Sequence, residues 1–210
     1  MRVAICTSVS ANIADVATLT LPNKIEYCLK HDYSLIIDNQ VYEQAAKNTH
    51  QIVHLFNNYD IIWTLDADTL ITNMNLKIEE LSCLGPHITV CEEGIVPYNK
   101  LNCGSIVWKN TFYSKWFLQT ITALHFQWKP LVCGWQTWME MIRPTLGNLI
   151  TVAPIRSFNS CVWNKPGGGE GKPGSHWQKG DFVYHPCGVF PKSEKLNYLK
   201  RTLELLKEEK

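Results

Sequence analysis

Short apolar runs recur along the chain, and the stretches between them return apolar residues every three or four positions. VAICT (3–7), SLIID (34–38), IIWTL (61–65), HITVC (87–91) and SIVWK (105–109) have the length and β-branched content of buried strands. Between them, Glu43 to Asn57 places Ile52, Val53, Leu55 and Phe56 on one helical face, and Asn110 caps a helix burying Trp116, Phe117, Ile121 and Leu124. This alternation predicts an α/β, Rossmann-like fold: a mainly parallel central sheet flanked by helices. Leucines at 196, 199, 203 and 206 predict a C-terminal amphipathic helix over 193–209, docked on the body of the protein. Residues 164–177, with five glycines and two prolines, predict a mobile loop, either one that closes over substrate or a plain surface excursion. No linker divides the chain, so residues 1–210 are expected to form one domain.

Composition narrows the partners. Twenty basic against nineteen acidic residues leave a net charge of +1, which gives no field for nucleic acid or anionic lipid and points to a small molecule or glycan. Eight cysteines occur without a CxxC pair, so they read as buried thiols in reducing surroundings rather than as a zinc ribbon or disulfide framework. The opening MRVAICTSVSANI is interrupted by Thr7, Ser8 and Ser10 too early for a signal peptide, and it reads as a first strand. No apolar run approaches the roughly 20 residues of a membrane span. The expectation is a soluble, cytoplasmic monomer.

The segment YDIIWTLDADTLITN (59–73) carries the chemistry: an apolar strand that ends in Asp66-Ala67-Asp68. Residues two apart on a strand share a face, so both carboxylates converge where a parallel sheet opens its ligand crevice. Their repulsion is relieved by a hard divalent cation, Mg²⁺ or Mn²⁺, which completes its shell with water and phosphate oxygens.

Here the segment resembles the DxD motif of GT-A glycosyltransferases, and other blocks follow in the order of one family: the fungal Golgi galactosyl- and mannosyltransferases and the plant xyloglucan xylosyltransferases. NKIEYCLKHDYSLI (23–36) is similar to its "NK.DYC..HGY", LNCGSIVWKNT (101–111) to its "N.GSF.IRN", and RSFNS (156–160) with KGDFVYHPCG (179–188) to its "FN.Y … GDFVIHFAG". The resemblance implies a single GT-A domain and retaining transfer of a hexose or related sugar from a UDP-sugar to a glycan or glycoprotein acceptor, with Mn²⁺ (or Mg²⁺). Asp66, Asp68 and His185 would be the metal ligands, with Ala67 between the two acids. Thr7 and Ser8 would lie along the nucleotide, and Lys47 near the diphosphate or the donor sugar. Asn102, Gly104 and Ser105 would wall the sugar. In related enzymes an H-x-x-G-x-x-K pattern supplies a lysine for the leaving diphosphate; His185, Gly188 and Lys192 match it with one extra residue.

One departure stands out. The family's acidic residue before glutamine is missing from Gly134-Trp135-Gln136, which leaves Gln136 on the donor sugar and Trp135 as a sugar platform or a core residue. Glu92, Glu93, Glu140 and Asp181 are the acids to weigh for catalysis, Asp181 being structural or acceptor-facing. Family members stand behind a Golgi membrane anchor, so the chain fits either an excised lumenal domain or a cytoplasmic enzyme of a microbe or large virus. Two alternatives stay open: a haloacid-dehalogenase-like phosphatase using Asp66 as nucleophile and Asp68 as acid and base, and a non-catalytic glycan-binding module.

Overall fold

The computed structural model describes residues 1–39, 52–93, 101–127, 134–161, 174 and 176–208. Strands β1 (Val3–Ser8), β2 (Ser34–Asp38), β3 (Ile61–Leu65), β5 (Ile88–Glu92), β6 (Leu101–Lys109) and β7 (Ile150–Ala153) form one sheet in the order β2-β1-β3-β6-β5-β7. β2, β1 and β3 pair in parallel, as do β5 and β7, while β6 runs antiparallel to both of its neighbours. The sheet is therefore mainly parallel with one reversed strand. Strands β4 (Leu70–Ile71), β8 (Ser160–Cys161) and β9 (Val183–His185) make a second, small sheet in the order β4-β9-β8.

Both faces of the inner strands of the large sheet are buried, which is why those strands read as continuous apolar runs. Val3, Ile5, Ile61, Trp63 and Leu65 pack on one side with Tyr27, Phe158 and Phe182. Cys6, Ile62, Val90, Ile106 and Trp108 pack on the other with Phe117, Ile121 and Met139. Helix α1 (Ala14–His31) covers the first face, and α2 (Phe112–Gln127) with α3 (Gly134–Leu146) the second. The expected C-terminal helix is α4 (Lys192–Lys207), docked through Leu199 onto Val16, Leu70 and Tyr184. Of the helix expected over 43–57, residues 43–51 lie outside the described residues and 52–55 are helical. The expected glycine-rich loop lies mostly outside them.

Two local features position the site. The reversed direction of β6 brings its beginning alongside the end of β3, with Leu65 opposite Ser105. Helix α1 turns an unusually polar face inward: Thr20, Asn23 and Lys24 are buried beside Val16, Ala17, Tyr27 and Cys28. Its last turn closes on Asp32 in the left-handed conformation (φ 56°), where a short polar side chain is tolerated.

Candidate metal centre at the carboxyl edge of the sheet

β3 ends at Leu65, and the chain then turns instead of continuing as strand. The Asp66 N–H donates to the Gly104 carbonyl (2.8 Å), and the Asp66 carbonyl accepts from the Thr69 hydroxyl (2.8 Å) and the Thr69 N–H (3.2 Å). The two carboxylates thus converge through a turn, not through strand alternation, because residues 67 and 68 no longer pair with a neighbour. The inward face of α1 holds this turn. Thr20 donates its hydroxyl to the Ala67 carbonyl, and Lys24 Nζ donates to the Thr69 (2.7 Å) and Ala67 (3.4 Å) carbonyls. Asn23 exchanges two hydrogen bonds with the Ile71 backbone (2.9 and 2.8 Å).

His185, at the end of β9, completes the group: one ligand atom from each of Asp66, Asp68 and His185 lies within 4.8 Å of the others. His185 Nε2 is 3.3 Å from Asp68 Oδ1 and 3.7 Å from Asp66 Oδ2. On its other side, Nδ1 faces Asn159 Oδ1 at 2.9 Å. The Asn159 amide group in turn donates through Nδ2 to Asn102 Oδ1 (2.7 Å), which also accepts from the Gly104 N–H (3.0 Å). Asn159 Oδ1 is therefore an acceptor, so Nδ1 of His185 carries the proton. With Nδ1 as donor, the neutral ring carries its lone pair on Nε2 facing the carboxylates, and the protonated ring carries an N–H there. A histidine fixed in this tautomer by a neighbouring acceptor is how proteins present imidazole to a metal. Two carboxylates and one imidazole fit a divalent cation of the Mg²⁺–Mn²⁺ class.

The two acids dominate the electrostatics of the group. Burial alone would disfavour an imidazolium, yet Asp68 and Asp66 outweigh it and push His185 up to about 9. Burial would raise the Asp68 carboxyl, but His185 and Lys195 hold it well below the usual carboxylate range. Asp66 is displaced upward, since the crevice walls thin its hydration and Asp68 adds a like charge, while His185 opposes both. Its side chain is still 59% exposed, which damps the effect. Burial draws the Lys24 ammonium down to about 7 against the pull of Asp68 and Asp66.

The other expected residues scatter. Lys192 is exposed and points to Asp15 Oδ2 (2.9 Å) and the Asn12 carbonyl (3.2 Å), whereas Lys195, one turn later on α4, forms the ion pair with Asp68 Oδ2. Asp181 is clamped by Arg156, whose Nε and Nη2 approach it to 2.9 and 2.6 Å, and by Ser160 Oγ and the Gln178 N–H. Its carboxylate is thus spent on tying β8 to the approach to β9. Ser105 is fully buried, and its hydroxyl accepts from the Trp63 indole (2.9 Å). Asn102 and Gly104 adjoin the group: a Cβ on residue 104 would stand 2.0 Å from His185 Cε1, so glycine there makes room for the His185 ring. Thr7 and Ser8 end β1 at the same edge, and the buried Thr7 hydroxyl has no hydrogen-bond partner among the described residues. Gly188 adopts a positive φ (57°) in the turn after β9. Gln136 is half-buried on α3, one turn before Glu140, whose Oε1 accepts from the Leu101 N–H (3.0 Å). Lys47 and the side chain of Trp135 lie outside the described residues.

Sequence reasoning missed Lys24, Asn159 and Lys195. The first two sit inside blocks that carried the family resemblance, NKIEYC and RSFNS, and that placement was their only signal. Lys195 stands in a charged helical stretch where nothing separates it from solvated lysines.

A model of the galactosyl transferase GMA12/MNN10 family matches residues 5–88. No curated protein sequence matches the chain. Among solved structures, a glycosyltransferase involved in the glycosylation of the major capsid of PBCV-1 superposes with a TM-score of 0.75 at 16% identity, over 96% of this chain and 100% of that one. The galactosyltransferase LgtC, in complex with donor and acceptor sugar analogs, gives a TM-score of 0.59 at 12% identity, over 98% and 95% of the two chains. The bifunctional glycosyltransferase WbbM gives 0.61 at 12% identity, with 98% of this chain spanning 49% of that one. The fold is that of GT-A glycosyltransferases, as the sequence resemblance implied.

Proposed function

We propose that this chain, built on the GT-A glycosyltransferase fold, transfers a hexose or related sugar from a UDP-sugar to a glycan or glycoprotein acceptor, with retention of configuration. The observation that carries the reading is the convergence of Asp66, Asp68 and a tautomer-fixed His185 within 4.8 Å at the carboxyl edge of the sheet. These three residues would hold a divalent cation, Mn²⁺ or Mg²⁺. When bound, it supplies positive charge to the diphosphate of the donor.

The chain's own residues do the rest. Lys195 holds one oxygen of Asp68 and sets an ammonium beside the metal ligands, where it stabilises negative charge on a departing diphosphate. Lys192 serves the same charge from the helix start only if its side chain leaves Asp15. Thr7 and Ser8 offer hydroxyls to the nucleotide. Asn102 and Gly104 shape the wall beside the sugar, and Gln136 faces it from α3. Asp181 contributes by fixing the strand that delivers His185. None of the acids among the described residues is assigned as a nucleophile, and the mechanism we propose for retention is attack of the acceptor hydroxyl on the face the diphosphate leaves.

The test is thermal unfolding with UDP, GDP and CMP, each with and without Mn²⁺. At a concentration one hundred times Kd, a ligand selective for the native state adds about 2.7 kcal/mol. UDP should stabilise the chain only with the metal, and Asp66→Ala or Asp68→Ala should abolish that dependence. Unchanged manganese-dependent UDP affinity in both variants would sink the proposal. Slow release of UDP from a UDP-sugar separates a transferase from a binding module, and trapping of phosphate on Asp66 would turn the reading to a phosphatase.

A further inference from the structure

Next to the asparagines that support His185 lies a pair of thiols. Cys161 ends β8 and Cys187 follows His185 in the turn after β9, and their sulfur atoms are 3.4 Å apart. The parallel pairing of the two strands, with Cys161 opposite His185, brings the thiols together although they are far apart in sequence. Cys161 is fully buried and its Sγ donates to the Asn159 carbonyl (3.3 Å); Cys187 is half-buried and faces Asn102 Nδ2 at 3.5 Å. Both thiols therefore touch residues that support His185: Asn159 holds its Nδ1, and Asn102 holds Asn159.

We propose that Cys161 and Cys187 form a dithiol modification site that closes to a disulfide with a low-molecular-weight disulfide oxidant, and that closure disturbs the support of His185. The consequence for metal binding rests on the function proposed above; the bond itself does not. The Cys187 thiolate, the accessible one, attacks a sulfur of the oxidant, and one small thiol leaves. The Cys161 thiolate then attacks Cys187 Sγ in the mixed disulfide, and the second small thiol leaves. Two protein thiols lose two electrons and two protons, and the oxidant's disulfide takes them up as two thiols.

A disulfide requires a sulfur–sulfur distance of about 2.05 Å, so the present 3.4 Å has to contract by roughly 1.4 Å. Cys161 is pinned in a strand, and Cys187 stands in a turn two residues beyond the metal ligand, so the movement falls on the Cys187 side. It removes Cys187 from Asn102 and pulls on the turn that begins directly after His185. Supporting shells of this kind are worth 10- to 100-fold in metal affinity.

The experiment treats the full-length reduced chain with oxidised glutathione and reads intact mass, a non-reduced peptide map and Mn²⁺ affinity. The expected result is a loss of two hydrogens, a cross-linked peptide joining Cys161 to Cys187, and Mn²⁺ binding weakened about tenfold or more, restored by dithiothreitol. In Cys161→Ser, glutathione should remain on Cys187; in Cys187→Ser, Cys161 should stay unmodified. Persistence of both thiols after oxidation, pairing with other cysteines, or a stable glutathione adduct on wild-type Cys187 overturns the site. A Cys161–Cys187 bond that leaves Mn²⁺ affinity unchanged overturns its link to His185. Reduced chain that binds no Mn²⁺ at all, yet forms the bond, counts against the proposed function and not against the disulfide.

Discussion

Replacing Gly104 by alanine tests the centre without touching a ligand. The added Cβ would lie 2.0 Å from His185 Cε1, 2.5 Å from its Nδ1 and 3.1 Å from Asn102 Oδ1. Carbon atoms rest about 3.5–4.0 Å apart, so the ring must retreat by roughly 1.5 Å or more. It has little space to do so, since only 3% of the side chain is exposed and its Nδ1 is held by Asn159 at 2.9 Å. Retreat breaks that bond and carries Nε2 away from Asp68 Oδ1, now 3.3 Å off. Metal–ligand distances tolerate only about 0.2 Å, so a shift of this size removes the imidazole from the ligand set. The expected loss is about 100-fold in Mn²⁺ affinity, the upper end of what disturbed supporting shells cost and close to 2.7 kcal/mol. Manganese titration followed by electron paramagnetic resonance reads this directly, with circular dichroism to show that the variant is folded. His185→Ala should match it within a few-fold. A folded Gly104→Ala that binds Mn²⁺ within twofold of the wild type would refute the steric argument.

Other outcomes follow from the same geometry. Lys24→Met keeps the buried volume but leaves the Thr69 carbonyl without its donor, at a cost of about 1–3 kcal/mol in urea unfolding, and it should loosen Mn²⁺ binding because the turn carrying Asp66 and Asp68 loses its tether. Asp181→Ala strands the Arg156 guanidinium and should cost a similar ~1–3 kcal/mol, while UDP affinity at saturating metal changes little. Metal binding must displace the proton that the carboxylates hold on His185, so below about pH 9 the Mn²⁺ affinity should fall about tenfold per pH unit, with proton release seen by calorimetry in two buffers. In the metal-free chain the sign reverses: His185, raised from 6.5 to about 9, lends stability that is fully present below 6.5 and lost as pH rises through about 9. Lys195→Ala removes the cation from Asp68 and should weaken UDP binding in the presence of metal far more than Lys192→Ala does.

The buried strands and the carboxylate pair were legible in the chain because period and chemistry are local properties. IIWTL falls on β3 residue for residue, since a strand buried on both faces has little choice but to be apolar throughout, and SLIID falls on β2, a partly covered edge strand. The likeness of the DxD and HPCG blocks to a known family drew Asp66, Asp68 and His185 together, although 117 positions separate the last two, from 185 − 68. Tertiary structure alone decided what supports them. Thr20, Asn23 and Lys24 look like a solvated helix face, and they become an inward clamp because the turn after β3 offers backbone carbonyls that the sheet leaves unpaired. Lys195 rather than Lys192 reaches Asp68 because one turn of helix carries it about 4.5 Å further along the same side, leaving Lys192 at the helix start against Asp15. Binary pattern records how much water a position is used to; it carries no record of which buried carbonyl, carboxylate or ring a polar side chain will meet once distant segments pack.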